Sequence, residues 1–296
     1  MIQLSLIIYS TRPRQWVKNI FLFAALVFDR KLFVLPYLTK TLSGFILLTL
    51  ITGAVYIVND LFDIDQDKLH PTKRLRPLSS GRLSRKAAIT TAILLPLIIL
   101  PLSFLLEPWF GIILLTYWLQ NILYSRWLKH IVIVDVLSIS LGFALRVAAG
   151  ATLVDVEQSP IGSPWIYMCV VFGALLVVLG KRRSELTLFA DTSNTHRAVL
   201  ASYTQQYLDL LIYSVSTCTI ISYSFYTFNA IYHQPSNHSM MLTIPFVVYG
   251  IFRYLYLVHV KGAGGTPEHL VFKDRPLLYS IIIWVIFSTI LRYNFW

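Results

Sequence analysis

The chain has 296 residues and a formal net charge of +11; 56% of its residues are hydrophobic and only 13% are charged, against about 25% charged in a usual soluble domain. With a mean hydropathy of +0.65, one large soluble core is excluded. The aromatic residues lie inside the apolar runs and are not interleaved with the basic ones, which argues against a nucleic-acid surface. Membrane topology and a phosphate-rich partner explain the basic balance better.

Apolar runs at about 17–35, 42–58, 87–106, 109–125, 131–153, 164–180, 208–230, 240–259 and 277–292 predict an all-α integral membrane fold of about nine transmembrane helices. Asp29, Asp135 and Arg146 make the first and fifth runs the least clean. Met1–Tyr9 is apolar, yet it lacks a preceding basic residue and is too short for a secretory core, so no removable signal is expected. Cys169 and Cys218 both sit inside apolar runs without metal-ligand spacing and read as small core residues.

Most of the 25 Lys and Arg residues fall in alternate loops, at 12–18, 68–86, 126–129, 181–197 and 261–275. Arg30, Lys31, Lys40 and Arg292 are on the opposite side. The cation-rich side is expected to be cytoplasmic and to hold the N-terminus, in a multi-pass protein of the inner (plasma) membrane. The long connections lie on that same side, where function usually resides. With no fixed-period repeat and no low-complexity tract, residues 1–296 are expected to form a single polytopic membrane domain.

In chain order, the first motif able to carry chemistry runs from Asn59 to Asp67. Asn59, Asp63 and Asp67 stand at i, i+4 and i+8, so on a continuous helix they share a face. Hard oxygen donors on one face suit Mg²⁺, which takes a few carboxylates together with substrate phosphate oxygens. Asp60, one position round, is a candidate bridging ligand. The bland reading is a solvated helix end. Against it, four carboxylates emerging directly from an apolar run repel one another unless a cation is present.

Directly after them come Lys73, Arg74 and Arg76, with Pro71, Pro77 and Gly81 constraining the loop, and Arg offers phosphate oxygens a bidentate fork. A purely topological positive loop is the alternative. His70 has no partner at zinc spacing. Lys181, Arg182, Arg183 and Glu185 follow the sixth run as the acidic motif follows the second. They are candidates to hold phosphate and, for Glu185, a second metal or a sugar hydroxyl, although a helix end facing anionic lipid looks similar. Further candidates are Arg12 to Lys18 before the first run, Tyr124, Arg126 and Lys129 after the fourth, and Arg146, whose buried guanidinium calls for an anionic partner. Residues 266–268, Asp274 and Arg275 are candidates to close over a site.

These residues resemble the UbiA superfamily of intramembrane prenyltransferases along most of the chain, and Asn59, Asp63 and Asp67 match that family's first metal motif. Arg-Pro-Arg-Gln-Trp-Val-Lys-Asn at 12–19, His-Pro-x-Lys-Arg-x-Arg-Pro at 70–77, Gly-Lys-Arg-Arg-x-Glu at 180–185 and Thr-Pro-Glu at 266–268 are similar to its phosphoribosyltransferase branch. Users of prenyl diphosphates typically carry a second aspartate-rich motif on the sixth helix, where this chain has Lys-Arg-Arg-Ser-Glu.

The resemblance implies nine helices around a cytoplasm-facing cavity, Mg²⁺ on Asn59, Asp60, Asp63 and Asp67, and catalytic roles for the three aspartates. Phosphoribosyl pyrophosphate is then the donor and a polyprenyl phosphate the acceptor, contacted by Lys18, Lys73, Arg74, Arg76, Tyr124, Lys129, Arg146, Lys181, Arg182, Arg183 and Glu185. Transfer of an isoprenyl group from its diphosphate to an aromatic or other acceptor is the rival within the class. A transporter is the rival outside it; broken helices near the membrane midplane would mark one, whereas the charges here crowd one face.

Overall fold

The structure, a computed structural model, describes residues 2–154, 164–188, 198–229, 239–265 and 267–294. Among these residues all regular structure is helical. Two compact units emerge, one of Met1–Leu26, Lys31–Ser138 and Leu145–Asp155, the other of Val27–Arg30, Ile139–Ala144 and Val156–Trp296. Each is described by itself.

The first unit opens with α1 (Ile2–Ser10) and a 3₁₀ helix over Pro13–Phe23, followed by α2 (Ala24–Phe28), whose last two residues count with the second unit, and by α3 (Leu35–Phe62). The predicted span at 17–35 is therefore not one α-helix. Arg12 takes the left-handed conformation before Pro13, and Arg30, also at positive φ, ends α2. A 3₁₀ helix rises about 2.0 Å per residue against 1.5 Å in an α-helix, so Pro13–Phe23 by itself covers about 22 Å. Gly150 allows the close approach of this segment, because a Cβ there would run into the Leu22 backbone carbonyl.

After the helix break at Asp63 come α4 (Ile64–Leu69), a 3₁₀ turn at Lys73–Leu75, α5 (Arg85–Leu106), α6 (Pro108–Arg126) and α7 (Val134–Thr152). Ser84 caps α5 by accepting the Ala87 N–H at 3.2 Å, and Pro108 opens α6 at a position where no N–H is needed. Leu22, Leu48, Ile51, Phe110, Leu114 and Leu153 form a fully buried core. A second cluster matters more for the site: Leu78 and Leu83 bury against Ile57 and Ala88. At roughly 1.5–3 kcal/mol per buried leucine, these two side chains pin the basic loop onto α3 and α5.

The second unit contains α8 (Pro164–Leu188), α9 (Gln205–Asn229), α10 (Ile244–His259), α11 (Pro267–Lys273) and α12 (Arg275–Asn294). The predicted sixth span ended at 180, but α8 continues to Leu188, so Lys181 to Glu185 stand on its last turns and not beyond them.

Seven helical segments among the described residues have the length and apolar character of membrane spans. α6 has the length but carries Gln120 and Asn121 in its C-terminal half. Apolar side chains such as Leu97, Ile98 and Leu105 point outward in α5, as they must where lipid replaces water. The protein is a multi-pass membrane protein.

Candidate active site

α3 delivers Asn59 and Asp60 from the apolar core to its end, and at Asp63 the helix breaks (φ −98°, ψ 5°) before α4 resumes. The predicted single helical face is thus interrupted. The spacing survives, because the Asp63 N–H donates to the Asn59 carbonyl at 3.0 Å and the Asp67 N–H to the Asp63 carbonyl at 2.8 Å. Asp60 and Asp67 are both buried, and Asp63 is half-buried.

Cations from three separate segments hold these carboxylates. Arg76 Nη1 lies 3.0 Å from Asp60 Oδ1 and 2.5 Å from Asp67 Oδ2. Arg12 also donates to Asp60, with its guanidinium 4.8 Å from the centre of the Tyr56 ring. Lys129, itself buried, donates to Asp63 Oδ1, while Asn59 Nδ2 donates to Asp63 Oδ2 at 3.0 Å. Burial pushes the Asp67 carboxyl up from its ordinary range and Asp60 repels it further, whereas Arg76 and Lys73 act in the opposite direction.

No three His, Cys, Asp or Glu side chains converge on a metal-sized point among the described residues. Two do share a focus: Asp60 and Asp67 each place a buried oxygen against one guanidinium nitrogen. Two converging hard oxygens, with Asn59 and Asp63 alongside, suit a cation that draws its remaining ligands from a phosphate-bearing substrate. The donor set therefore fits Mg²⁺.

The remaining candidates are distributed more widely. Arg74 is exposed on the loop, and Lys18 and Tyr124 are half-buried. Arg146 is buried on α7, donating to Asn19 Oδ1 at 2.9 Å and to the Tyr117 hydroxyl at 2.7 Å, with the Tyr117 ring 4.9 Å from its guanidinium. Asn19 in turn donates to Thr49 at 3.1 Å. These partners of Arg146 are neutral where an anion was expected, and together they tie the 3₁₀ segment to α3, α6 and α7.

In the second unit, Arg182 is buried and donates to Glu185 at 2.9 Å. Arg183 donates to Asp209 at 2.5 Å and to the Val258 carbonyl at 3.4 Å, and His259 Nε2 lies 3.1 Å from the same carboxylate. Lys181 is half-buried. Arg253 makes two hydrogen bonds, 3.1 and 2.8 Å, to Asp274. Thr266 and the side chains of Pro267 and Glu268, candidates for closure, lie outside the described residues.

Sequence reasoning gave Arg12 too little weight, although its position before Pro13 signalled an unusual backbone. Asn19, Asp209 and His259 went unnoticed as partners, since nothing in their own neighbourhoods points to residues dozens of positions away.

Residues 19–273 match the UbiA prenyltransferase family. The chain belongs to that family. A decaprenyl-phosphate phosphoribosyltransferase of Mycobacterium tuberculosis is 31% identical over 94% of this chain and 91% of its own length. Its counterpart in Corynebacterium glutamicum is 29% identical over 94% of this chain and 84% of its own length. Among solved structures, a UbiA homologue from Archaeoglobus fulgidus bound to GPP and Mg²⁺ superposes with a TM-score of 0.73 at 17% identity, covering 97% of this chain and 99% of that one. At that identity the likeness speaks for the fold alone. As a UbiA-family member with transferases for relatives, the chain is a membrane transferase.

Proposed function

We propose that this protein transfers a 5-phosphoribosyl group from phosphoribosyl pyrophosphate to a polyprenyl phosphate of the decaprenyl type, releasing diphosphate in a Mg²⁺-dependent reaction. The observation that carries the reading is the pair of buried carboxylates, Asp60 and Asp67, meeting at one cation beside a loop rich in Lys and Arg. Support for the phosphoribosyl group in particular comes from the relatives' name and from the Lys-Arg-Arg-Ser-Glu segment at 181–185.

The C1–O bond to diphosphate breaks and a C1–O bond to the lipid phosphate forms, with positive charge developing at C1 between the two. Asn59, Asp60, Asp63 and Asp67 would hold the metal, and its chemistry there would be neutralisation of the negative charge on the leaving diphosphate. Arg76 and Lys129 balance these carboxylates in the structure as it stands, and the same cations are suited to phosphate oxygens once the carboxylates are otherwise neutralised. Lys73 and Arg74 add donors from the same loop, and Lys18 and Tyr124 add polar groups on neighbouring segments. Lys181 and the Arg182–Glu185 pair are assigned to the donor's phosphates, and Arg183 and Arg146 to holding the segments that carry them. The acceptor phosphate is ionised at neutral pH, so neither a protein nucleophile nor a strong base is required; positioning and charge stabilisation supply the catalysis. The site faces the cytoplasm in this reading, where the donor is dissolved and the basic loops lie.

The test is purified protein with ribose-labelled donor and a panel of polyprenyl phosphates, with and without Mg²⁺. Label entering the lipid only with Mg²⁺ is the expected result. Prenyl transfer from a prenyl diphosphate to an aromatic acceptor, with no ribose label in lipid, would overturn it.

A further inference from the structure

The end of the second unit away from Asp274 holds a cluster that the transferase reading does not use. On α12, Trp284, Ser288 and Arg292 stand at i, i+4 and i+8 and share one face. On α9, Tyr223, Tyr226 and Thr227 lie within two turns. The two helices are joined there by an ordered polar chain, in which Trp284 Nε1 donates to the Tyr223 hydroxyl at 2.7 Å and that hydroxyl bonds Thr243 Oγ1 at 2.5 Å. The Tyr223 and Tyr226 rings are 6.2 Å apart, and Phe28 packs edge-on against Tyr226 at 6.0 Å.

This chain of bonds stops short of three groups. The Tyr226 hydroxyl, Ser288 Oγ, and Nε and Nη2 of Arg292 are all fully buried without a hydrogen-bond partner. Arg292 as a residue is only 7% exposed. It lies beside the Tyr226 hydroxyl without reaching hydrogen-bond geometry, and close enough to Arg30 for the two guanidinium charges to oppose each other. Among the described residues no carboxylate pairs with it.

An arginine cannot shed its proton to escape this situation. A buried, unpaired cation is strongly destabilising, and each buried unpaired donor adds to that. Two bland readings fail on the same observation. A snorkelling arginine would put its head outside, and one serving the negative end of its own helix would donate to the last carbonyls; buried Nε and Nη2 do neither. What the cluster lacks is negative charge with several acceptor oxygens.

We propose that Arg292, with the hydroxyls of Tyr226 and Ser288, binds an oxyanion of the phosphate class. A tetrahedral phosphate offers enough oxygens for the guanidinium fork and both hydroxyls together, more than the two oxygens of a carboxylate. Arg292 stands 17 residues along α12 from Arg275, roughly 26 Å, so this site is separate from the Lys181–Glu185 end of the same unit. The phosphate belongs either to a lipid headgroup or to a free ion, and both present the same chemistry to these residues.

Thermal unfolding of the purified full chain separates the possibilities. One arm is protein in detergent with inorganic phosphate titrated at constant ionic strength; the other compares nanodiscs of phosphatidylglycerol with nanodiscs of phosphatidylcholine. Wild type is compared with Arg292→Gln and, because that variant risks misfolding, with Tyr226→Phe and Ser288→Ala, which each remove one oxygen. A rise in Tm of roughly 3 °C or more with phosphate, at least halved in the variants, identifies a free-ion site. The same rise in phosphatidylglycerol alone, again diminished in the variants, identifies a lipid headgroup. Phosphate bound at the transferase site would stabilise wild type and variants alike, so an equal response, or none in either arm, overturns the proposal. Failure of ribose transfer leaves it standing.

Discussion

The two charged motifs are mirror images in how they are buried. Around Arg76 in the first unit the anions are inside and the cation further out: the side chains of Asp60 and Asp67 are 3% and 2% exposed, and that of Arg76 is 23% exposed; the Lys129–Asp63 pair beside them runs the other way, at 9% and 18%. In the second the cations are inside, with Arg182 at 2% against Glu185 at 22%, and Asp209 outside Arg183. Each arrangement leaves the more exposed partner as the exchangeable one. In the proposed function, desolvated carboxylates beside a more exposed cation suit an incoming metal and its phosphate ligands. Guanidinium groups that are fixed, with acids on the outside, make a rigid basic frame first and a phosphate holder second. The same residue types therefore predict different sensitivities to mutation.

The largest effect is expected where the carboxylates of the acidic motif are altered. Asp67→Asn or Asp63→Asn should lower ribose transfer by about 100-fold or more, because each removes charge from the proposed metal site, while the protein remains folded in detergent. Near-normal turnover in either variant would break the distinction between the two motifs.

Next comes Arg76→Ala, which leaves Asp60 and Asp67 buried without their shared cation. A loss of roughly 3 kcal/mol of stability is expected, measured by denaturation in chelator, with Mg²⁺ restoring much of it. The rescue is the sharper half of this prediction. A variant equally unstable with and without Mg²⁺ would mean that the two carboxylates are built for the guanidinium alone.

How far the site was legible in the sequence follows from the same contrast. Asn59, Asp63 and Asp67 announced themselves because their spacing is local and their setting costly. The break at Asp63 did not, since the residues around it carry no glycine or proline and only the backbone angles reveal the bend. Apolar run length gave seven of the spans directly. At residues 17–35 it did not reveal that the segment is a 3₁₀ helix followed by a short α-helix, since hydropathy carries no information on helix type. Pairings such as Arg12 with Asp60 and Arg183 with Asp209 depend on tertiary packing, and one sequence carries no local trace of them.

Asp209→Asn probes the second motif. It removes the charge that holds Arg183 and faces His259, and about 1–2 kcal/mol of stability should go, allowing for partial exposure of the carboxylate. If Arg183 is a frame for Lys181 and Arg182, the KM for the donor should rise several-fold with little change in kcat, and the acceptor KM should stay put. Lys181→Ala should move the donor KM in the same direction without the stability loss. Equal changes in both substrates' KM values would instead assign the cluster to the lipid surface.

The smallest expected effect separates charge from capping at the start of α12. Asp274 accepts the Leu277 N–H at 2.9 Å and so caps the helix, while the hydrogen bonds from Arg253 hold its carboxyl below the usual carboxylate range. Asp274→Ala removes both roles and should cost about 1 kcal/mol; Asp274→Asn keeps the cap and should cost less. Because the folded-state pKa is depressed, the contribution from ionisation is present above the unfolded value near 4 and is lost as pH falls through the lower folded value. Wild type and Asp274→Asn should therefore differ in Tm at pH 7 and draw together below about pH 4. A difference that is constant across this range would show that the capping geometry, and not the charge on Asp274, is what the arginine supports.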